Sequence, residues 1–340
     1  MRRRNFLTAA GLATGGMLLP IGRNSWVAQQ VNTNNRKRLV VVFLRGAVDG
    51  LNIVIPHQAA EYYEARPTIA IPYPQQPQGT LDLDGFFGLH PQLKELIPFW
   101  QNKQLAFIHA SGSPVLERSH FQAQDYLESG TPGEKNTPDG WMNRLLAQLP
   151  QDQLTQAVNV GVTTPYILKG KMAIASLKPG LNSAVPIASD NLAVRQAFSQ
   201  LYSGSDPLSL AYQTGSKARD IVMSELAQEM IEASRGAKQV NAFVDAEVAK
   251  LMVGNAQTQL AFMQIGGWDS HVNQNPLLER LLPSLGEGLA TLAHGLEPIF
   301  ADTVIAVISE FGRTVRENGN KGTDHGYGNV IWLLGGAVRG

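Results

Sequence analysis

The chain has 340 residues, 44% of them hydrophobic and only 16% charged, with 28 Lys+Arg against 28 Asp+Glu and no cysteine. That length supports one large α/β domain or two smaller ones, and the even charge balance argues against a general nucleic-acid surface. The missing cysteine excludes disulfides, thiolate metal sites and a Cys nucleophile, which leaves oxygen and imidazole as the available metal ligands.

Arg2-Arg3-Arg4-Asn5-Phe6-Leu7 precedes a weakly apolar stretch, Thr8 to Ile21, rich in Ala, Gly and Leu. A basic start followed by a short apolar region reads as a secretory leader, and adjacent arginines, a spacer and Phe-Leu resemble the twin-arginine export signal. The stretch falls short of the roughly 20 apolar residues a membrane span needs. We therefore expect a signal segment over residues 1–28, export by the twin-arginine machinery to the periplasm or the extracellular space, and no stable transmembrane segment. Gln29 to Arg38 is polar and reads as a linker.

Leu39–Leu44 is an unbroken, β-branched apolar run, as in a buried central parallel strand. It ends in Arg45-Gly46-Ala47-Val48-Asp49-Gly50, where the glycines permit a sharp turn that exposes Asp49 as a metal ligand or leaves it a plain turn residue. Pro67 to Gly85 is expected to be irregular. Pro91 opens a predicted helix through Trp100, with Leu93, Leu96 and Ile97 on one face. Leu105–Ile108 is a second predicted buried strand, leading through His109 to a loop that reaches His120.

Ser119 opens a predicted helix through Glu128, as a nucleophile or as an N-cap. Beside it, Arg118 is an expected oxyanion partner, because a helix N-terminus favours anionic charge, and His120 is a proton carrier or a helix-start His. Asp139-Gly140-Trp141 opens another helix that ends before Pro150. Ala157–Val160 and Ala173–Ala175 are short strands, and residues 190–253 form a helical insertion.

Thr258–Ile265 restores strand character and ends in Gly266-Gly267-Trp268-Asp269-Ser270-His271. In extended backbone, residues i and i+2 share a side, so Asp269 and His271 can grip one ion of the Zn²⁺, Mn²⁺ or Fe²⁺ kind. After a long helix, Pro276 to Leu296, the strand Thr303–Ile308 ends in Ser309-Glu310-Phe311-Gly312-Arg313. A carboxylate ending a buried strand needs a metal, an Arg or hydrogen bonds. Arg313 either binds an anionic substrate or pairs with Glu310. Gly322-Thr323-Asp324-His325-Gly326 offers His325 as a metal ligand or forms a structural turn before the last strand, Val330–Leu334. His90 and His294 read as structural. The sequence stops straight after that strand, so a fragment of a longer domain is expected.

Every one of these polar clusters adjoins a strand end. In an open parallel α/β sheet the loops beyond the strands' carboxyl ends converge on one edge. The expected fold is therefore a doubly wound, mostly parallel α/β sheet over residues 39–340, with the insertion packed on it.

The segments around Asp49, Ser119, Asp269, Glu310 and His325, in this order behind the arginine leader, resemble domain-of-unknown-function family 1501 from about Leu39 to Gly340. More distantly, the motif order is similar to the alkaline phosphatase and sulfatase superfamily. The resemblance implies an alkaline-phosphatase-like fold and a divalent metal (Zn, Mn, Mg, Ca or Fe). It also implies two-metal hydrolysis of a small anionic phosphate or sulfate ester. Carried over position by position, Asp49 and Glu310 would hold one metal with Ser119 nearby, and Asp269, His271 and His325 the other. Two departures stand out. Glu310-Phe311 occupies the place of an Asp-His pair. The Cys/Ser-x-Pro-x-Arg sulfatase signature is absent, since Gly112 stands two residues before Pro114. The alternative is a non-catalytic metal-binding or surface-interaction protein that retains the fold.

Overall fold

The structure, a computed structural model, describes residues 36–150, 156–161, 163–177, 188–225, 245–255 and 257–338. The expected signal segment and most of the expected linker lie outside the described residues. Among the described residues ten strands occur in chain order: β1 Arg38–Leu44, β2 Val54–Ile55, β3 Leu81–Asp82, β4 Gly88–Leu89, β5 Leu105–Ser111, β6 Ala157–Val160, β7 Ala175–Leu177, β8 Leu260–Ile265, β9 Thr303–Ile308 and β10 Asn329–Leu334. The helices are α1 Ala60–Ala65, α2 Ile97–Gln101, α3 His120–Ser129, α4 Trp141–Leu146, α5 Leu192–Leu201, α6 Pro207–Glu225, α7 Asp245–Gly254 and α8 Gln274–Gly295.

Seven strands form one sheet in the order β5-β10-β9-β1-β8-β6-β7, and β2, β4 and β3 form a small second sheet. β1 is central because both of its faces are apolar. Val40, Val42 and Leu44 pack with Leu278, Leu282, Leu285 and Leu289 of α8. Val41 and Phe43 point the other way, toward Met142 and Leu146 of α4 and Ile167 and Leu168. Helical layers thus cover the two faces of a mostly parallel sheet, the expected α/β class. Each such fully buried aliphatic side chain contributes about 1.5–3 kcal/mol.

Strand direction fixes the site. β9, β1 and β8 are mutually parallel, so their carboxyl ends share one edge. β10 runs antiparallel to β9 and to β5, so β10 begins and β5 ends at that same edge. The loops after β1, β5 and β8 and the loop that joins β9 to β10 therefore meet.

Local differences from expectation have physical causes. β5 is an antiparallel edge strand with one partner, and of its residues only Leu105 is fully buried. The helix expected from Pro91 splits into a 3₁₀ turn, Pro91–Leu96, and α2. Leu93 leaves helical geometry, and Pro98 in the first turn of α2 has no N–H to continue the earlier ladder. The strand expected at Ala173–Ala175 lies two residues later, as β7. The expected insertion is helical at α5, α6 and α7, while 226–244 lies outside the described residues. Among the described residues no helix is long and apolar enough to cross a membrane.

Candidate metal centre

The strand-end loops are zipped together before any ligand is placed. Arg45 N donates to Ile265 O at 2.8 Å and Trp268 N to Arg45 O at 3.3 Å, which joins the loops after β1 and β8. Gly46 has φ +119° and lies so close to that second loop that a Cβ would fall 2.6 Å from Asp269 N. The segments around Arg313 and His325 pair as a short antiparallel bridge, with Gly326 N donating to Gly312 O at 2.7 Å and Thr314 N to Asp324 O at 2.9 Å.

Three imidazoles and one carboxylate meet on this edge. His120 Nε2 lies 3.1 Å from His325 Nε2 and 3.6 Å from Asp269 Oδ2, and His325 Nε2 lies 3.5 Å from Asp269 Oδ1. His271 flanks the same pair, its Nε2 2.9 Å from His325 Nε2 and 3.2 Å from Asp269 Oδ1. Donor atoms at the usual 2.0–2.1 Å from a tetrahedral Zn²⁺ sit roughly 3.4 Å apart. The spacings among His120, Asp269 and His325 match that figure, and their donor atoms form a group able to hold a metal.

The rest of each ring decides what these contacts mean. His120 Nδ1 is 2.8 Å from Glu310 Oε1, His325 Nδ1 is 2.8 Å from the carbonyl of Arg118, and His271 Nδ1 is 3.1 Å from Asp324 Oδ1. Carbonyls and ionised carboxylates only accept, so each Nδ1 carries the proton and donates. A neutral ring so fixed presents a bare lone pair at Nε2, the arrangement by which outer partners orient metal-binding histidines. Burial, with Arg313, His120 and His271 nearby, lowers the His325 imidazole against the raising effect of the Arg118 carbonyl, which favours its neutral form. His120 Nε2 and His271 Nε2 both abut His325 Nε2, at 3.1 and 2.9 Å.

The carboxylates are tuned accordingly. Burial acts to raise Asp269, but the hydrogen bond and charge of Arg313, aided by His271 and His120, outweigh it and hold the carboxyl below its ordinary range. Burial likewise acts to raise Glu310, and hydrogen bonds from Gln124, backbone and His120 bring it down instead. Asp324 is lowered by hydrogen bonds from Asn318 and His271. All three therefore stay anionic at neutral pH.

The structure separates the sequence-predicted residues into two groups. It brings Asp269, His271, His325 and His120 together. Asp49 and Glu310, expected as ligands of one metal, are not part of that cluster. Asp49 is fully buried, paired with Arg66 and accepting from Gln274 Nε2 at 2.6 Å and Leu51 N at 3.3 Å. Glu310 Oε1 accepts from His120 Nδ1, from Gln124 Nε2 at 2.8 Å and from Gly46 N at 2.9 Å, so it serves behind His120. Arg313 pairs with Asp269, not Glu310, and its buried guanidinium also donates to Ala47 O, Gly46 O and Thr323 O, which engages four of its five N–H donors. His120, expected as a proton carrier, has its Nδ1 proton committed to Glu310.

Ser119 is the N-cap of α3, yet its side chain makes no capping hydrogen bond. Glu117 Oε1 takes the backbone N–H groups of Arg118 and Ser119 instead. The Arg118 side chain is exposed and stacks over Tyr327, 4.5 Å from the ring centre. Phe311, the departure from the Asp-His pattern, is buried against both imidazoles, with ring centroids 4.9 Å from His120 and 5.0 Å from His325. Sequence reasoning missed Asp324 as the partner of His271, although it adjoins His325. Gln124, one turn after His120, and Arg66 carried no comparable signal.

The chain belongs to the family described as Protein of unknown function (DUF1501), matched over residues 36–340. No curated protein matches it. Among solved structures it is similar to the C-terminal periplasmic domain of EcEptC from Escherichia coli, in complex with Zn. That likeness is 10% identical, with a TM-score of 0.37, over 89% of this chain and 74% of that one. The PH0037 protein from Pyrococcus horikoshii is 12% identical, with a TM-score of 0.33, over 89% of this chain and 87% of that one.

Proposed function

We propose that this family member is an exported metal-dependent hydrolase of small phosphate or sulfate esters, with one divalent metal held by His120, Asp269 and His325 and flanked by His271. The observation that carries the reading is the set of three imidazoles, each fixed through Nδ1 to an acceptor, whose Nε2 atoms gather about Asp269 and His325. A divalent cation there supplies Lewis-acid polarisation of an ester oxygen.

The chain's own groups supply the rest of the proposed mechanism. Ser119 is the nucleophile, one residue from His120 and with a hydroxyl not spent on capping. The N-terminus of α3 favours the developing negative charge, and exposed Arg118 is the anion partner. Arg313 keeps Asp269 ionised and aimed, and Glu310 holds the proton on His120 Nδ1. The hydrogen bonds that engage Asp49 and Glu310 support a single metal in place of two. The leader at 1–28 accounts for export to the periplasm or the extracellular space.

The test is hydrolysis of generic phosphate and sulfate monoesters by the wild type and Ser119→Ala, with metal content measured on both. The expected result is turnover that requires metal and falls by orders of magnitude in Ser119→Ala while metal content stays the same. Equal turnover in Ser119→Ala would remove Ser119 as nucleophile. Metal without any turnover in the wild type would favour the second reading, a non-catalytic metal-binding protein. The apolar Phe311 face against both imidazoles is the observation on that side.

A further inference from the structure

Behind the imidazoles lies a second polar layer that the proposed chemistry does not use. Arg66, directly after α1, is fully buried. Its guanidinium pairs with Asp49 and donates to Asn52 Oδ1 at 2.7 Å and to the carbonyls of Thr314 at 3.0 Å and Val315 at 2.8 Å. Asp49 also accepts from Gln274 Nε2 at 2.6 Å. Gln274, in the first turn of α8, uses its Oε1 to accept from Ser270 Oγ at 2.8 Å and Thr323 Oγ1 at 2.7 Å.

The far ends of this set are chemically telling. Ser270 lies between Asp269 and His271, Thr323 stands two residues before His325, and Thr314 follows Arg313. One buried, connected layer thus reaches each of the three loop segments that carry or orient a ligand beyond α3. Asp49, Ser270, Gln274 and Thr323 are all 1% exposed or less. A buried ion pair is seldom retained for stability alone, since packed apolar residues of similar volume usually do as well or better. Its best-attested use is to fix one geometry among several.

We propose that Arg66, Asp49 and Gln274 form a positioning relay, with Gln274 as the hub that holds Ser270 and Thr323, and through them Asp269, His271 and His325, in metal-binding register. This inference rests on the metal-centre reading above. Asp49 then acts on the site from behind, as a positioning residue two hydrogen bonds removed from the ligands.

The test turns on Thr323, because its hydroxyl and its methyl group make opposite predictions. Co²⁺ is titrated into the metal-free full chain and followed by visible absorption, for the wild type, Thr323→Val and Thr323→Ser, with thermal denaturation run in parallel. A relay predicts that Thr323→Val, which keeps volume and loses the hydroxyl, weakens Co²⁺ roughly 10- to 100-fold and alters its spectrum. Thr323→Ser, which keeps the hydroxyl, stays within about threefold of the wild type with an unaltered spectrum. Gln274→Met should repeat the loss. A mere packing role predicts the reverse order, with Thr323→Val silent and Thr323→Ser destabilised. Unchanged affinity and spectrum in folded Thr323→Val would overturn the relay while leaving the metal centre standing. No Co²⁺ binding by the wild type would overturn the metal-centre reading itself, and the relay with it.

Discussion

At the scale of single residues, the candidate centre is three histidines held in one tautomer by three different acceptors: the Glu310 carboxylate, the Arg118 carbonyl and the Asp324 carboxylate. A fourth histidine shows what burial does without such a partner. His90 is 2% exposed, and burial pushes its imidazole down to about 4 from the ordinary 6.5. The charged form is thus disfavoured in the folded chain, so His90 contributes stability above about pH 6.5 that is lost as pH falls to about 4. That contribution is about 3 kcal/mol. Its Nδ1 accepts from Gln92 N, an acceptor role that Asn can also fill. His90→Asn should therefore flatten the acid-side decline of stability between pH 6.5 and 4, read by urea denaturation across pH, and an unchanged decline would contradict this. Residue types at the site were legible from sequence, but their partners were not. Glu310 announced a need for compensation, and the compensators proved to be His120, Gln124 and Gly46 N, up to 264 residues away. Asp49 looked like a ligand because Arg66, following a short helix with no distinguishing pattern, left no mark in the sequence.

At the scale of elements, the loops work because they approach more closely than side chains ordinarily permit. A Cβ on Gly322 would sit 2.3 Å from His271 O and 2.5 Å from Ser270 O, both backbone atoms that cannot swing aside. Gly322→Ala should push the His325 loop off the Asp269–His271 loop. We expect metal affinity to fall by at least roughly tenfold while far-UV circular dichroism stays native. Wild-type affinity in Gly322→Ala would show that the loops have slack that the close contact denies. The Gly-bracketed turn was visible in sequence, although not which loop it met. Strand direction was also hidden. β10 reads as the same apolar run as β9, and whether such a run is parallel or antiparallel is decided by its neighbours. For β5, the exposure of Ile108 and His109 follows from its edge position, which no local pattern encodes.

At the scale of the whole molecule, a seven-stranded sheet collects four of its loops on one edge, and the chemistry there is a His/Asp cluster backed by a buried polar layer. Convergence at the carboxyl ends of parallel strands was legible because β1, β8 and β9 are mainly apolar runs that stop at glycine or polar residues. The number of metals was not legible, because it depends on whether Asp49 and Glu310 are free. The structure engages both with protein donors. The most direct test is metal content by elemental mass spectrometry, on protein purified without chelators and on Asp269→Ala/His325→Ala. About one equivalent in the wild type, lost in the double variant, is the predicted result for one site built on these ligands. Two equivalents in the wild type, or one retained in the variant, would contradict it.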